Sequence, residues 1–192
     1  VDTRARLPLR FDAEALLADA RGLEPDDWVP HFNTAYYQGD WSGAALRSVG
    51  GQAHQLYPDP SAAAIYADTS LLARCPATAV ALATFRSPLL AVRFLRLGPG
   101  STIREHRDYN LGFDDGEVRI HVPLSTGPAV EFLHDGQRVD MAAGEAWYLD
   151  LNLRHAVANW GDEPRIHLVI DCVVDEWLRA VLERAPEVGE AP

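Results

Sequence analysis

The stretch REHRDYN carries His106 and Asp108 with a single residue between them. In an extended chain, residues i and i+2 face the same side, so an imidazole and a carboxylate at this spacing converge on one point. Such a pair suits a divalent metal ion, although a surface loop of solvated charges shows the same pattern. His155, in LNLRHAVANW, opens a strand-like run just after the apolar AWYLDLNL. Two histidines and one carboxylate form the facial triad of non-haem Fe(II) oxygenases, which leaves the opposite face of the ion open. A lone histidine is more often a hydrogen-bonded core or edge residue, so His155 carries weight only beside the other two.

Arg165 follows His155 across a Gly-Asp-Glu turn and begins RIHLVID, a run able to return beside the first. Its planar guanidinium fork matches a carboxylate and suits the far end of 2-oxoglutarate. Arg119 and His121, in VRIHVPL, again share one face of a strand. Burying both is costly unless an anion or a partner compensates. Ion pairs to Glu117, Glu131 or Asp150 are the structural alternative for this pair.

These residues need a scaffold that converges from several strands. After Pro88, runs rich in β-branched and aromatic residues recur: Leu89–Leu97, Val118–Pro123, Val130–His134, Arg138–Met141, Ala146–Leu149, His155–Trp160 and Arg165–Val173. Turn signals such as Gly98-Pro99-Gly100 and Asp135-Gly136 separate them, and HDGQ marks a hairpin. The pattern predicts a mainly β fold, a sandwich or barrel of which the jelly roll is one form, with helices outside. Helices are expected over Phe11–Arg21, over Thr69–Phe85 with a break near Cys75-Pro76, and over Asp175–Arg184. Ala44–Val49 reads as a strand, and VGEAP as a frayed tail. One domain is expected over 1–192: a helical, substrate-side region at 1–88, a jelly-roll core at 89–173, and a C-terminal helix at 174–186.

Composition bounds the function. The 192 residues carry a formal charge of −11, which lacks the basic footprint that nucleic acid requires. No apolar run is long enough to span a bilayer, and the first residues do not read as a secretory signal. Two cysteines, Cys75 and Cys172, are too few for a disulfide framework, so a reduced, cytoplasmic setting is expected.

The ordered set HRD, RIH, GEAWYLD, His155 and Arg165 resembles the aspartyl/asparaginyl β-hydroxylase-like 2-oxoglutarate oxygenases, which include bacterial free-proline cis-hydroxylases. The likeness runs from IREHRDYN through VRIHVPL and GEAWYLDLNLRHAVANW to PRIHLVIDC, and more loosely over HFNTAYYQGDWSGAALRS. It implies a double-stranded β-helix, the cupin-like jelly roll. It implies Fe(II) on His106, Asp108 and His155, Arg165 on the distal carboxylate of 2-oxoglutarate, and Arg119 and His121 at the co-substrate's other end. Two departures stand out. Animal members lack the triad aspartate, present here as Asp108, and they place a serine against the distal carboxylate where this chain has Leu95. The helper of Arg165 is therefore open.

The implied activity is O2-dependent hydroxylation of an unactivated C–H bond in a small amino-acid-like or carboxylate substrate, releasing succinate and CO2. A peptidyl Asp or Asn side chain and a natural-product intermediate are alternative substrates. A cupin-like metal-dependent isomerase and a non-catalytic ligand-binding barrel are readings of other classes. His31, Asn33, Tyr36 and Trp41 are candidates for a substrate wall or for packing, and Tyr109 and Asn110 for pocket or solvated loop. Arg93, Arg96 and Arg104 are candidates for pairing a substrate carboxylate. His134 is expected to be exposed beside its hairpin turn, His167 to lie near Arg165, and Trp147 and Tyr148 to be core.

Overall fold

A computed structural model of the chain describes residues 1–57 and 64–185. Its strands are β1 (Arg4–Arg10), β2 (Val29–Pro30), β3 (Tyr37–Gln38), β4 (Trp41–Val49), β5 (Tyr66–Asp68), β6 (Leu89–Leu97) and β7 (Thr102–His106). Then come β8 (Glu117–Ser125), β9 (Val130–His134), β10 (Gln137–Arg138), β11 (Glu145–Leu149), β12 (His155–Asn159) and β13 (Arg165–Val173). Helices are α1 (Ala13–Arg21), α2 (Pro76–Leu82) and α3 (Glu176–Glu183).

The large sheet has the order β1-β11-β8-β13-β6-β4-β2, with β5 on β4, and the small sheet has the order β10-β9-β12-β7-β3. From β6 onward the chain passes back and forth between the two sheets. Strands β6, β8, β11 and β13 lie in the large sheet and β7, β9, β10 and β12 in the small one. That alternation is the double-stranded β-helix.

Side-chain alternation explains the layers. On β13, Ile166, Leu168, Ile170 and Cys172 face outward into a core shared with Leu16 and Ala20 of α1, Leu82 of α2 and Leu178 of α3. Val118, Ile120 and Val122 of β8 join the same core. The inner faces of the two sheets meet in a second core of Leu97, Ile103, Phe132, Trp147, Leu149 and Val157. Both faces of β8 and β13 are thus buried, and polar residues on their inner face, Arg119, His121, Arg165, His167 and Asp171, lie in the barrel interior. Such residues are costly there unless they are paired or functional.

Local chemistry sets the ends of the elements. Asp12 caps α1 by accepting from Ala15 N at 3.0 Å, and Asp175 caps α3 by accepting from Leu178 N at 2.9 Å. Asp135 and Gly136 take φ of 49° and 71° in the β9–β10 hairpin, the left-handed pair that a two-residue turn needs. Asn159 is buried, and its Nδ2 lies 3.0, 3.2 and 2.9 Å from the carbonyl oxygens of Leu97, Gly98 and Glu163. This one side chain ties the end of β12 to the end of β6 and to the β12–β13 turn. Asn159→Ala is expected to cost about 1–3 kcal/mol, the penalty for orphaning buried carbonyls. Urea unfolding checks it; an unchanged midpoint would reject the tie.

Several expectations need correction. The helix placed over Thr69–Phe85 is confined to Pro76–Leu82, preceded by a 3-10 turn at Leu72–Arg74. Pro76 starts the helix rather than interrupting it, because its missing N–H is no loss at the first helical position. The strand placed at Arg138–Met141 shortens to Gln137–Arg138, and Val139 and Met141 turn into the inner core. The 1–88 region is not mainly helical: it adds β1, β2, β4 and β5 to the large sheet and β3 to the small one. Strand β1, with Pro8 inside it, had no clear signal, and it lies at a sheet edge where proline is tolerated. The C-terminal helix covers Glu176–Glu183, and VGEAP lies outside the described residues.

Candidate metal centre and its cavity

His155 begins β12 and stands directly across from His106 at the end of β7. Between this pair and Val157↔Ile103 the register shifts: β12 advances two residues while β7 advances three. This bulge lets Ile103 and His106 both face the interior, against strict alternation. Asp108 lies just past the strand, where its N–H donates to Leu151 O at 2.9 Å. The result is a cluster in which one ligand atom from each of His106, Asp108 and His155 lies within 4.8 Å of the others.

The histidine tautomers are set by the backbone. His106 Nδ1 lies 2.8 Å from Arg104 O and His155 Nδ1 lies 3.1 Å from Leu153 O. A carbonyl can only accept, so each Nδ1 carries the proton and each Nε2 offers a lone pair. Burial, then the neighbouring His106, lowers the His155 pKa to about 4, which keeps the ring neutral. Burial opposes the charge on Asp108, but Arg119 first, then the two histidines, outweigh it and hold the carboxyl below its ordinary value. Two imidazoles that keep Nε2 free of the backbone and a carboxylate are a donor set that suits a divalent ion.

A cavity of about 450 Å³ opens on the cluster. Arg165 lines it and is buried, and burial alone pulls its pKa down to about 9. Its Nη2 donates to His167 Nδ1 at 2.9 Å, while Nε has no hydrogen-bond partner among the described residues. His121 lines the cavity as well, and neither of its ring nitrogens has a partner among the described residues. Burial, then Arg165, pushes the His121 pKa well below its ordinary value, so it stays neutral. A buried guanidinium without an acidic partner, beside an unpaired imidazole, fits one end of an anionic ligand such as a dicarboxylate.

Arg119 also lines the cavity, but its hydrogen bonds point elsewhere. Nη1 donates to Asp108 Oδ2 at 2.6 Å, and Nε and Nη2 donate to Asp171 Oδ1 and Oδ2 at 2.6 and 3.0 Å. The ion-pair alternative is thus realised with partners other than Glu117, Glu131 or Asp150. Asp171 also accepts from Arg93 Nη1 at 3.0 Å.

On the opposite wall His31 stacks on Trp41, ring centroids 3.6 Å apart, with Asn33, Tyr36 and Tyr57 nearby. Phe32 and Tyr109, 71% and 80% exposed, form an aromatic rim. Asn110 is not part of the lining; its φ is 60° and its N–H donates to Asn152 Oδ1. Of the arginines weighed for a substrate carboxylate, only Arg93 lines the cavity. Arg96 lies over the Trp28 ring at 4.4 Å, and Arg104 is exposed. His134 is fully buried, contrary to expectation. The hairpin base tucks under the β11–β12 loop, where His134 Nε2 lies 2.8 Å from Asp150 O and Asp135 N donates to Arg154 O. Trp147 and Tyr148 are core. Asp171, Tyr57 and Phe132 were not foreseen as site residues. Continuing the two-residue alternation from Arg165 through His167 would have placed Asp171 on the site face; Tyr57 had no local signal.

The profile of the aspartyl/asparaginyl beta-hydroxylase family matches residues 9–174. The chain belongs to that family. Over 169 residues it is 30% identical to the L-proline cis-4-hydroxylase of Rhizobium meliloti (strain 1021), covering 85% of this chain and 58% of that protein. It therefore spans little more than half the length of this relative. A solved oxidoreductase of the 2OG-Fe(II) oxygenase family from Burkholderia pseudomallei superposes with a TM-score of 0.50. That match covers 81% of this chain and 76% of the other at 16% identity, a likeness of fold. Within the aspartyl/asparaginyl β-hydroxylase family, this member brings a carboxylate and two imidazoles together at the mouth of a jelly roll. No helix among the described residues is long and apolar enough to cross a membrane.

Proposed function

We propose that the chain is a non-haem Fe(II)- and 2-oxoglutarate-dependent dioxygenase that hydroxylates a C–H bond of a small amino-acid-like or carboxylate substrate, releasing succinate and CO2. One observation carries the reading: the triad cluster and Arg165, which has no acidic partner among the described residues, face the same cavity. A non-catalytic binding barrel gives no reason for a metal triad with open positions beside that guanidinium.

His106 Nε2, His155 Nε2 and Asp108 would hold the iron, and Arg165 would hold the distal carboxylate of 2-oxoglutarate. When bound, these groups supply with O2 the oxidising chemistry that no side chain offers. The protein's residues bind, orient and exclude. The carbonyls of Arg104 and Leu153 set the imidazole tautomers, and Arg119 sets the face of Asp108. His167 takes one Nη2 hydrogen of Arg165 and so fixes the plane of the guanidinium. This makes His167, with His121 as a nearby donor, the helper that Leu95 cannot be. Arg119, its donors turned to Asp108 and Asp171, orients a ligand rather than gripping the co-substrate.

The wall also suits a carboxylate on the substrate. Asp171 is one carboxylate between two guanidinium groups, and with Asp108 committed to a metal ion the cluster keeps a positive charge. Arg93 presents that charge to the cavity, near the stacked His31 and Trp41, whose Nε1–H is unpaired. The exposed rim of Phe32 and Tyr109 favours a second substrate reading, an amino acid within a peptide or a natural-product intermediate. Cys75 and Cys172, both buried and unpaired, are consistent with a reducing, cytoplasmic setting.

The test is succinate release from 2-oxoglutarate with added Fe(II), over a panel of free amino acids and short Asp- and Asn-containing peptides. Substrate-dependent succinate, matched by a product one oxygen heavier, is expected from at least one compound. Absence of Fe(II)-dependent decarboxylation, with or without substrate, would overturn the proposal.

A further inference from the structure

Three candidates merit comparison with the site described above. A second cavity of about 290 Å³ is also lined by Arg165, His167 and Phe132, but the two further charged residues on it, Arg138 and Asp140, pair with each other. The exposed aromatic rim has no feature that selects one occupant. The buried ion chain from the triad cluster to the substrate wall is different, because every link in it is a defined hydrogen bond.

Asp171 is 1% exposed, yet it touches neither the cavity surface nor the triad. It lies directly across from Arg119 in the β8–β13 register, while Arg93 sits on β6 opposite Val169, two residues before Asp171. Both oxygens of Asp171 are engaged: Oδ1 by Arg119, and Oδ2 by Arg119 and Arg93. Arg119 in turn reaches Asp108 at 2.6 Å. A guanidinium held on two of its nitrogens by a buried carboxylate has one orientation, so its third nitrogen has one place to point. Asp108, by contrast, lies beyond the end of β7: its backbone is held by Leu151 O, and its carboxylate accepts from Arg119. Resting on the reading of the triad as a metal centre, we infer that Asp171 is a positioning residue: through Arg119 it fixes the orientation of the Asp108 carboxylate, and through Arg93 it links that carboxylate to the substrate wall.

Charge alone makes a different prediction, which lets the inference be tested. If Asp171 and Arg119 acted only through their fields, removing the anion would weaken cation binding and removing the cation would strengthen it. Removing both would restore it. If they act by positioning, all three variants lose the fixed carboxylate.

The experiment is Co(II) binding to the full chain, by calorimetric titration and by the visible absorption of the bound ion. The variants are Asp171→Asn, Arg119→Met and the double substitution. Circular dichroism confirms folding. Each variant is expected to bind Co(II) about 10–100-fold more weakly than the wild type, the usual worth of a partner that orients a metal ligand, with altered absorption bands. Asp171→Asn leaves two buried cations sharing one carboxylate and is the variant most prone to misfold. The double variant removes a complementary pair, keeps the net charge, and carries the test if the single one fails. A folded double variant that binds Co(II) within about threefold of the wild type, or an Arg119→Met that binds more tightly, overturns the inference. Failure of the wild type itself to bind Co(II) would instead reject the metal centre, so the two outcomes are distinct.

Discussion

Replacing His155 with alanine is expected to reduce Fe(II)-dependent turnover of 2-oxoglutarate by more than about a hundredfold, because partners outside the ligand shell are already worth 10–100-fold. The imidazole is anchored at Nδ1 by Leu153 O, stands across from His106, and presents Nε2 to the cluster. Alanine leaves two ligands and an apolar wall in its place, and no other histidine joins the cluster found among the described residues. Metal binding should fall in parallel, which calorimetry with Mn(II) reads without turnover. His54, exposed and away from the cavity, serves as a control, and His54→Ala should match the wild type. Metal affinity and turnover of His155→Ala within about threefold of the wild type would remove His155 from the centre.

Arg165→Met should have two effects of opposite sign. The guanidinium is buried, keeps one side-chain hydrogen bond, to His167, and meets no acid among the described residues, so in the ligand-free protein it is a cation held out of water without a countercharge. Methionine has similar length and no desolvation cost, and the ligand-free protein should gain about 1 kcal/mol or more in urea unfolding. Binding of 2-oxoglutarate to the Mn(II)-loaded protein should weaken by the worth of a buried charge pair, about 2–5 kcal/mol, or roughly 30- to 4,000-fold. Arg165→Lys keeps the charge but loses the planar fork and the fixed bond to His167, and should bind between the two. A stabilised variant that still binds 2-oxoglutarate as the wild type does would show that the co-substrate lies elsewhere. A variant that loses stability would show that Arg165 is structural. The pairing of a gain and a loss is what marks a residue kept for its ligand rather than for the fold.

Much of this site could be read before any coordinates. His106, Asp108 and His155 were legible because ligand chemistry restricts residue type, and the i, i+2 spacing places two of them on one side of an extended segment. Arg165 was legible because a guanidinium opening a run of apolar residues demands an explanation. The reason His106 faces inward was not legible. Strict alternation from the buried Ile103 would turn His106 outward, and the extra residue in β7 reverses it. A bulge of this kind is set by how β7 pairs with β12, some 50 residues later, and leaves no local mark.

The amino-acid sequence alone determined the β-rich second half, the turns that divide it, the capped helices and the residue types of the candidate triad and of the buried arginine proposed to bind an anion. These are properties of periodicity and side-chain chemistry, and both act over a few neighbouring residues. Tertiary structure alone decided who meets whom. Arg119 found Asp171 and Asp108 rather than Glu117, Glu131 or Asp150, His134 went under a loop instead of into solvent, and Arg93, of three similar arginines, reached the cavity. Each outcome follows from the register between strands far apart in the chain, where a shift of one residue turns every side chain to the other face.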